Sequence, residues 1–112
     1  MENFLKKFNL EEEIALITGG GGLLGVEHAK ALLEIGATVV LTDIDQDKLN
    51  KKFTELSAIF DKKNIIHKHM DVTNEKSIKT VETELRNNNL CVSILINNAA
   101  IDPKVNKDNV VE

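Results

Sequence analysis

The chain has 112 residues, 42% of them hydrophobic and 29% charged, with no Trp, no Tyr, four Phe and a single Cys. That is enough for one globular domain, burying roughly two thirds of its unfolded surface, and no more. The missing Tyr excludes a tyrosine acid or base within these residues, and the lone Cys excludes an internal disulfide and most zinc sites. A net charge of −4, with no basic block beyond three Lys-Lys pairs, argues against nucleic acid as a partner.

In chain order, Met1, Phe4, Leu5 and Phe8 stand at i, i+3, i+4, i+7. The plain reading is a leader (residues 1–9) lying on the domain; an anchor on a membrane surface is the sharper alternative. No apolar run approaches the ~18 residues of a membrane span, and Met1 to Asn9 lacks the apolar stretch of a signal peptide. No membrane is expected as a partner. Cytoplasm is the expected location, where the lone Cys91 suits a reducing compartment.

Glu13 to Thr18 is a short apolar run, predicted as the first strand. Gly19 to Gly22 breaks it. Leu23, Val26, Ala29, Leu32 and Leu33 then recur at helical spacing up to Ile35. Gly36 stands where a helix stops. Thr38 to Thr42, β-branched and apolar on both faces, reads as a buried parallel strand. Asp45 can cap a second helix carrying Leu49, Phe53, Leu56 and Phe60, with Lys62 and Lys63 near its C-terminus, where its dipole favours cations. Ile65 to Met70 is the third strand. Thr73 or Asn74 caps a third helix with Ile78, Val81 and Leu85 inward, ended by Asn87 to Asn89. Val92 to Ile96 is the fourth strand, and residues 102–112 form a polar, frayed tail. The alternation βαβαβαβ predicts right-handed crossovers, a Rossmann-like parallel sheet of order 3-2-1-4, and helices on both faces.

The informative segment is Thr18-Gly19-Gly20-Gly21-Gly22-Leu23-Leu24-Gly25, between a strand and a helix. Gly19, Gly22 and Gly25 have the G-x-x-G-x-x-G spacing of a loop whose backbone approaches a pyrophosphate closely. The helix starting at Leu23 and Leu24 offers free N–H groups and the positive end of its dipole, and Gly25 lets it pack tightly on the sheet. The plain alternative is a Gly-rich turn, which four consecutive glycines make entropically wasteful. Asp43 closes the second strand, 18 residues after Gly25, with Ile44 beside it. A carboxylate there can accept both adenosine ribose hydroxyls and would repel a 2′-phosphate, so NAD is favoured over NADP. Asp45 is the rival for that role, and Asp43 as a mere strand end is the plain alternative.

These motifs, in this order, resemble those of the short-chain dehydrogenase/reductase family. They are the Thr-Gly loop, Asp43, Asp71-Val72-Thr73 after strand three, and Asn97-Asn98-Ala99-Ala100 after strand four, covering residues 8–101. The resemblance implies that Asp71 and Val72 contact the adenine, and that Asn97, Asn98, Ala99 and Ala100 line the cofactor and steady the sheet. Two departures stand out. The commonest family loop has Gly where Leu23 stands, and the present spacing is similar to that of sugar-nucleotide-modifying relatives, whereas Asn-Asn-Ala-Ala is similar to the ordinary dehydrogenases. The subfamily, including a surface-glycan-modifying relative, stays open. The family's catalytic Ser, its Tyr and the Lys four residues after it have no counterpart here, and neither Asn106 nor Asn109 inherits the family's catalytic Asn. The chain therefore reads as the N-terminal, cofactor-binding portion of a dehydrogenase, without catalytic residues and without turnover of its own. The resemblance implies an NAD-dependent oxidoreductase passing hydride between nicotinamide and an alcohol or carbonyl carbon, of which this chain carries the dinucleotide binding; the alternatives are the NAD-binding half of a split or oligomeric assembly, or a truncated remnant. Unpaired apolar strand four would then invite self-association, or a partner supplying the missing half.

His67, His69 and Asp71 alternate on one face of strand three, a spacing that can ligate a metal, but the plain reading is two partly exposed rings at a sheet edge and no metal. Cys91 is expected to be buried and inert.

Overall fold

The computed structural model describes residues 9–99, so the expectations for the leader, for Ala100 and for the tail fall outside the described residues. The elements are β1 (Ile14–Thr18), α1 (Leu23–Glu34), β2 (Thr38–Asp43), α2 (Gln46–Ser57), a 3-10 turn (Lys62–Asn64), β3 (Ile65–His69), α3 (Glu75–Asn87) and β4 (Ile94–Ile96). The strands form one parallel sheet in the order β3-β2-β1-β4, as the βαβ alternation predicts.

Strand alternation sends two sets of side chains to opposite faces. Ala15, Ile17, Val39, Leu41 and Ile65 meet Val26, Ala29 and Leu33 of α1 and Leu49 and Leu56 of α2. On the other face, Val40 and Met70 meet Val81 and Leu85 of α3. The central strand β2 is buried on both faces, from Val39 to Thr42, which is why it reads as a continuous apolar run. Leu41, Leu49 and Leu56 are fully buried, each contributing about 1.5–3 kcal/mol of transfer free energy.

Local chemistry sets the ends of the helices. Asp45 caps α2 by accepting from the Lys48 N–H, and Asn74, rather than Thr73, caps α3 by accepting from Lys76 and Ser77. At the end of α1, Gly36 takes φ +96°. Its N–H reaches the Leu33 carbonyl while that of Ala37 reaches Leu32, a Schellman closure that the left-handed conformation makes possible.

Several expectations are corrected. Helix α2 stops at Ser57, so Phe60 packs on the core from beyond the helix, and Lys62 and Lys63 belong to a separate 3-10 turn capped by Asp61, away from the helix dipole. Strand β4 begins at Ile94 rather than Val92, because the Ser93 hydroxyl accepts the Ile14 N–H that a ladder carbonyl would otherwise take. Ile78 is 38% exposed, and Cys91 is exposed rather than buried because it lies in the turn before β4. Beside α3 an apolar groove of about 890 Å³ opens, lined among others by Leu16, Met70, Leu85, Val92 and Leu95. Leu95 stands 64% exposed on the β4 edge. Among the described residues no helix is long and apolar enough to cross a membrane.

Candidate functional site

The segments singled out in the sequence converge at the C-terminal ends of the parallel strands, the end at which open α/β sheets take ligands. Thr18 ends β1, Asp43 ends β2, Asp71 follows β3 and Asn97 follows β4. The glycine loop links the first of these to α1. Gly19 turns the chain with φ +66°, the left-handed region that favours a residue without Cβ. The Gly20 N–H then bonds to the Thr42 carbonyl at 2.8 Å and the Gly22 N–H to that of Gly19 at 3.0 Å. Gly22 is the N-cap of α1 and has no side chain to cap with, in contrast to Asp45 and Asn74 on the other two helices. The first turn of α1 thus keeps its donors and the positive end of its dipole free of side-chain acceptors, the local condition for receiving an anion.

Leu23 and Leu24 are 83% and 66% exposed. Leu23 shares the helical spacing of the apolar residues of α1. At the first helical position it lies beside the loop mouth, ahead of the stripe Val26, Ala29 and Leu33 that meets the sheet.

Asp43 is half-buried and tied down at both oxygens. Oδ2 accepts the Gly21 N–H at 3.1 Å and Oδ1 accepts the Asp45 N–H at 2.9 Å. Its rival Asp45 uses its own carboxylate on the Lys48 N–H at 3.1 Å, so the two acids have different work. The loop and α2 come close here: a Cβ at Gly21 would stand 3.0 Å from Asp43 Oδ2 and 2.8 Å from Lys48 Cβ. Ile44, 62% exposed, and Val72, 36% exposed, place apolar surface next to this carboxylate and after β3 respectively.

Thr18 is the residue whose role the sequence did not disclose. It is 5% exposed, and its Oγ1 accepts the N–H groups of both Asn98 and Ala99 at 2.9 Å while lying 3.2 Å from Asn97 Oδ1, to which it can donate. Asn98 Nδ2 in turn faces the Gly19 carbonyl at 3.5 Å. One hydroxyl thereby binds the segment after β4 to the glycine loop. Of the Asn-Asn-Ala-Ala motif, Asn97, Asn98 and Ala99 are brought to this place, and Ala100 lies outside the described residues.

After β3, Asp71 Oδ1 accepts from the Thr73 hydroxyl at 2.6 Å and the Thr73 N–H at 2.9 Å. Those bonds, with His69 nearby, hold its carboxyl below the ordinary carboxylate value. A folded-state pKa below the unfolded one adds stability that is complete above the unfolded value and lost as pH falls through the folded one. Below about pH 4, Asp71→Asn is expected to lose stability less steeply than the native chain. Urea midpoints measured at neutral pH and at about pH 3 check this, and parallel acid limbs would contradict it.

The two histidines of β3 share one face, as their alternation predicted, and each is engaged separately. His67 packs on Phe53 with ring centroids 4.6 Å apart. His69 Nε2 lies 2.9 Å from the Ile44 carbonyl oxygen.

Comparison with known proteins is consistent with this arrangement. A family model described as short chain dehydrogenase matches residues 13–111. The chain is 32% identical over 93 residues to a short chain dehydrogenase/reductase of Gibberella zeae, covering 83% of this chain and 33% of that protein. The crystal structure of 2-keto-3-deoxy-D-gluconate dehydrogenase from Streptococcus agalactiae superimposes with a TM-score of 0.85 at 31% identity, over 99% of this chain and 41% of that one. RhlG of Pseudomonas aeruginosa, solved as an active-site complex with NADP, gives a TM-score of 0.74 at 32% identity, over 86% of this chain and 38% of that one. The chain spans between 28% and 53% of the length of the first curated relatives it matches.

Proposed function

The chain belongs to the short chain dehydrogenase family, and from that premise we propose that residues 18–99 bind a nicotinamide dinucleotide, NAD in preference to NADP, for hydride transfer between the nicotinamide and an alcohol or carbonyl carbon. The family binds such a dinucleotide; the preference for NAD is carried by Asp43. Its carboxylate is pinned by the Gly21 and Asp45 N–H groups at the end of β2, beside the uncapped start of α1. Each carboxylate oxygen keeps lone-pair capacity after one bond, so both can accept ribose hydroxyls. A 2′-phosphate would meet a fixed negative charge and no cation within the glycine loop.

The groups present suit that cofactor. A Cβ at Gly25 would clash with the backbone of Gly19 and Gly20, and one at Gly19 would crowd the Ala99 backbone at 3.1 Å, so the loop is a close backbone turn suited to a cradle. The N–H groups at Leu23 and Leu24 would hold the pyrophosphate, and Ile44 and Val72 would flank the adenosine. Asn98 and Ala99, fixed through Thr18, would close the cradle from the β4 side. The dinucleotide, when bound, supplies the carbon that gives or takes the hydride. No Tyr occurs among the 112 residues, so their share of the reaction is binding and orientation, with the family's Tyr acid/base supplied by other residues. Among the described residues β4 is an edge strand, with Leu95 exposed, and it would be the pairing surface for such a partner or for a second copy. A reducing cytoplasm suits the exposed Cys91 thiol.

Calorimetric titration tests the reading. The chain is expected to bind NAD saturably and NADP more weakly, and Asp43→Ala to weaken NAD about tenfold, the loss of about 1.4 kcal/mol, while narrowing the difference between the two dinucleotides. Equal affinity for NAD and NADP, or an unchanged NAD affinity in the variant, would remove Asp43 from this role.

A further inference from the structure

We propose that His69 is a positioning residue for the adenosine-ribose acceptor, setting the orientation of the Asp43 carboxylate through the peptide group between Ile44 and Asp45. The inference rests on the reading of Asp43 given above.

The β2–β3 ladder places His69 opposite Asp43, and the last bond along this edge runs from the Met70 N–H to the Asp43 carbonyl at 3.0 Å. The next peptide, Ile44–Asp45, is the first beyond the ladder. Its carbonyl oxygen lies 2.9 Å from His69 Nε2, and its N–H donates to Asp43 Oδ1 at 2.9 Å. A carbonyl only accepts, so the Nε2 of His69 carries the proton. One planar unit therefore joins the imidazole at its oxygen to the carboxylate at its nitrogen. Rotation of that plane would break both bonds together, and donation to the oxygen polarises the N–H towards Asp43.

His69 anchors the oxygen end of this peptide, while its nitrogen end is held by the Asp43 carboxylate and by Asp45 as the N-cap of α2, whose carbonyl accepts the Leu49 N–H at 3.1 Å. The Ile44 side chain is 62% exposed, and the Asp45 side chain is committed to the Lys48 N–H. Without the imidazole the oxygen end of the plane loses its anchor, the bond from the Asp45 N–H to Asp43 Oδ1 is held less firmly, and the Gly21 N–H at 3.1 Å becomes the carboxylate's firmer donor. The ribose hydroxyls would then meet an acceptor that must be ordered on binding, which costs affinity. The consequence is confined to ligands that use Asp43, which separates positioning from general support of the fold.

The test is NAD titration of the full chain carrying His69→Ala, His69→Gln, Asp43→Ala, and His69→Ala with Asp43→Ala. His69→Ala is expected to weaken NAD about fivefold. His69→Gln, whose amide nitrogen reaches about as far as Nε2, is expected to stay within about twofold of the native chain. With Asp43 already Ala, removing His69 is expected to cost nothing further, the non-additivity that marks a shared interaction. Should His69→Ala fail to fold, His69→Asn, which is polar but too short to donate, replaces it and is expected to lose binding where Gln keeps it. Unchanged NAD affinity in His69→Ala, or losses that multiply in the double variant, would overturn the proposal while leaving Asp43 as acceptor. Folded native chain that binds no dinucleotide would overturn both readings.

Discussion

Gly25→Ala is expected to lower unfolding free energy by about 2 kcal/mol and to weaken NAD binding at least tenfold. Two effects oppose each other. Ala in the first turn of α1 gains up to about 1 kcal/mol of helix propensity over Gly. The added Cβ, however, would press into the Gly19 carbonyl oxygen, well inside van der Waals contact, and stand 2.9 Å from Gly20 Cα. These are backbone atoms of a loop whose φ is already +66° at Gly19, so no side chain can swing aside. Either α1 lifts from the sheet or the loop opens, and the cost of moving backbone exceeds the propensity gain. Opening the loop also moves the donors that would cradle the pyrophosphate. The measurement is a urea midpoint together with NAD titration. A lower midpoint at unchanged slope is the expected stability signature, and a variant more stable than the native chain would show that α1 does not pack as closely as its Gly25 implies.

Thr18→Val is the second large effect, expected at about 2 kcal/mol of stability. The two side chains have nearly the same shape and both suit a strand, so packing at this 5% exposed position is preserved. What is lost is the hydroxyl that accepts the Asn98 and Ala99 N–H groups at 2.9 Å each. Both are left without that acceptor in a part-buried setting, at about 1–3 kcal/mol for a group left unsatisfied. Thr18→Ser keeps the hydroxyl and is expected to recover most of the loss. Denaturation curves of the two variants decide it: equal stability of Val and Ser would mean that the hydroxyl holds nothing. On the proposed reading NAD affinity should fall with Thr18→Val as well, because the segment it releases lies against Gly19.

The strand order, the two-sided burial of β2 and the caps at Asp45 and Gly36 were legible because each depends on short-range rules: alternation, helical spacing, an acceptor before a helix, a glycine after one. The position of Asp43 was legible for a similar reason, since it ends the strand that follows the glycine loop and its helix. Misreadings arose where periodicity was carried past its element. Leu23 matched the apolar stripe of α1 yet lies outside the part of the helix that meets the sheet. Lys62 and Lys63 followed an apolar pattern that outlasted its helix at Ser57. Cys91 was assigned to the interior by residue type, whereas the turn before β4 leaves it in solvent.

By itself the sequence determined the parallel βαβ architecture, the family, and the presence of a close-approach glycine loop followed by an acid, since these follow from residue types at fixed local spacings. The tertiary structure alone decided which groups meet around that loop and that acid. Thr18 meets Asn98 and Ala99 some 80 positions away in the chain, and His69 meets Ile44 across 25. A hydrogen bond needs donor and acceptor within about 3 Å and well aligned, and such alignment exists only once the crossovers have laid β4 against β1 and β3 against β2.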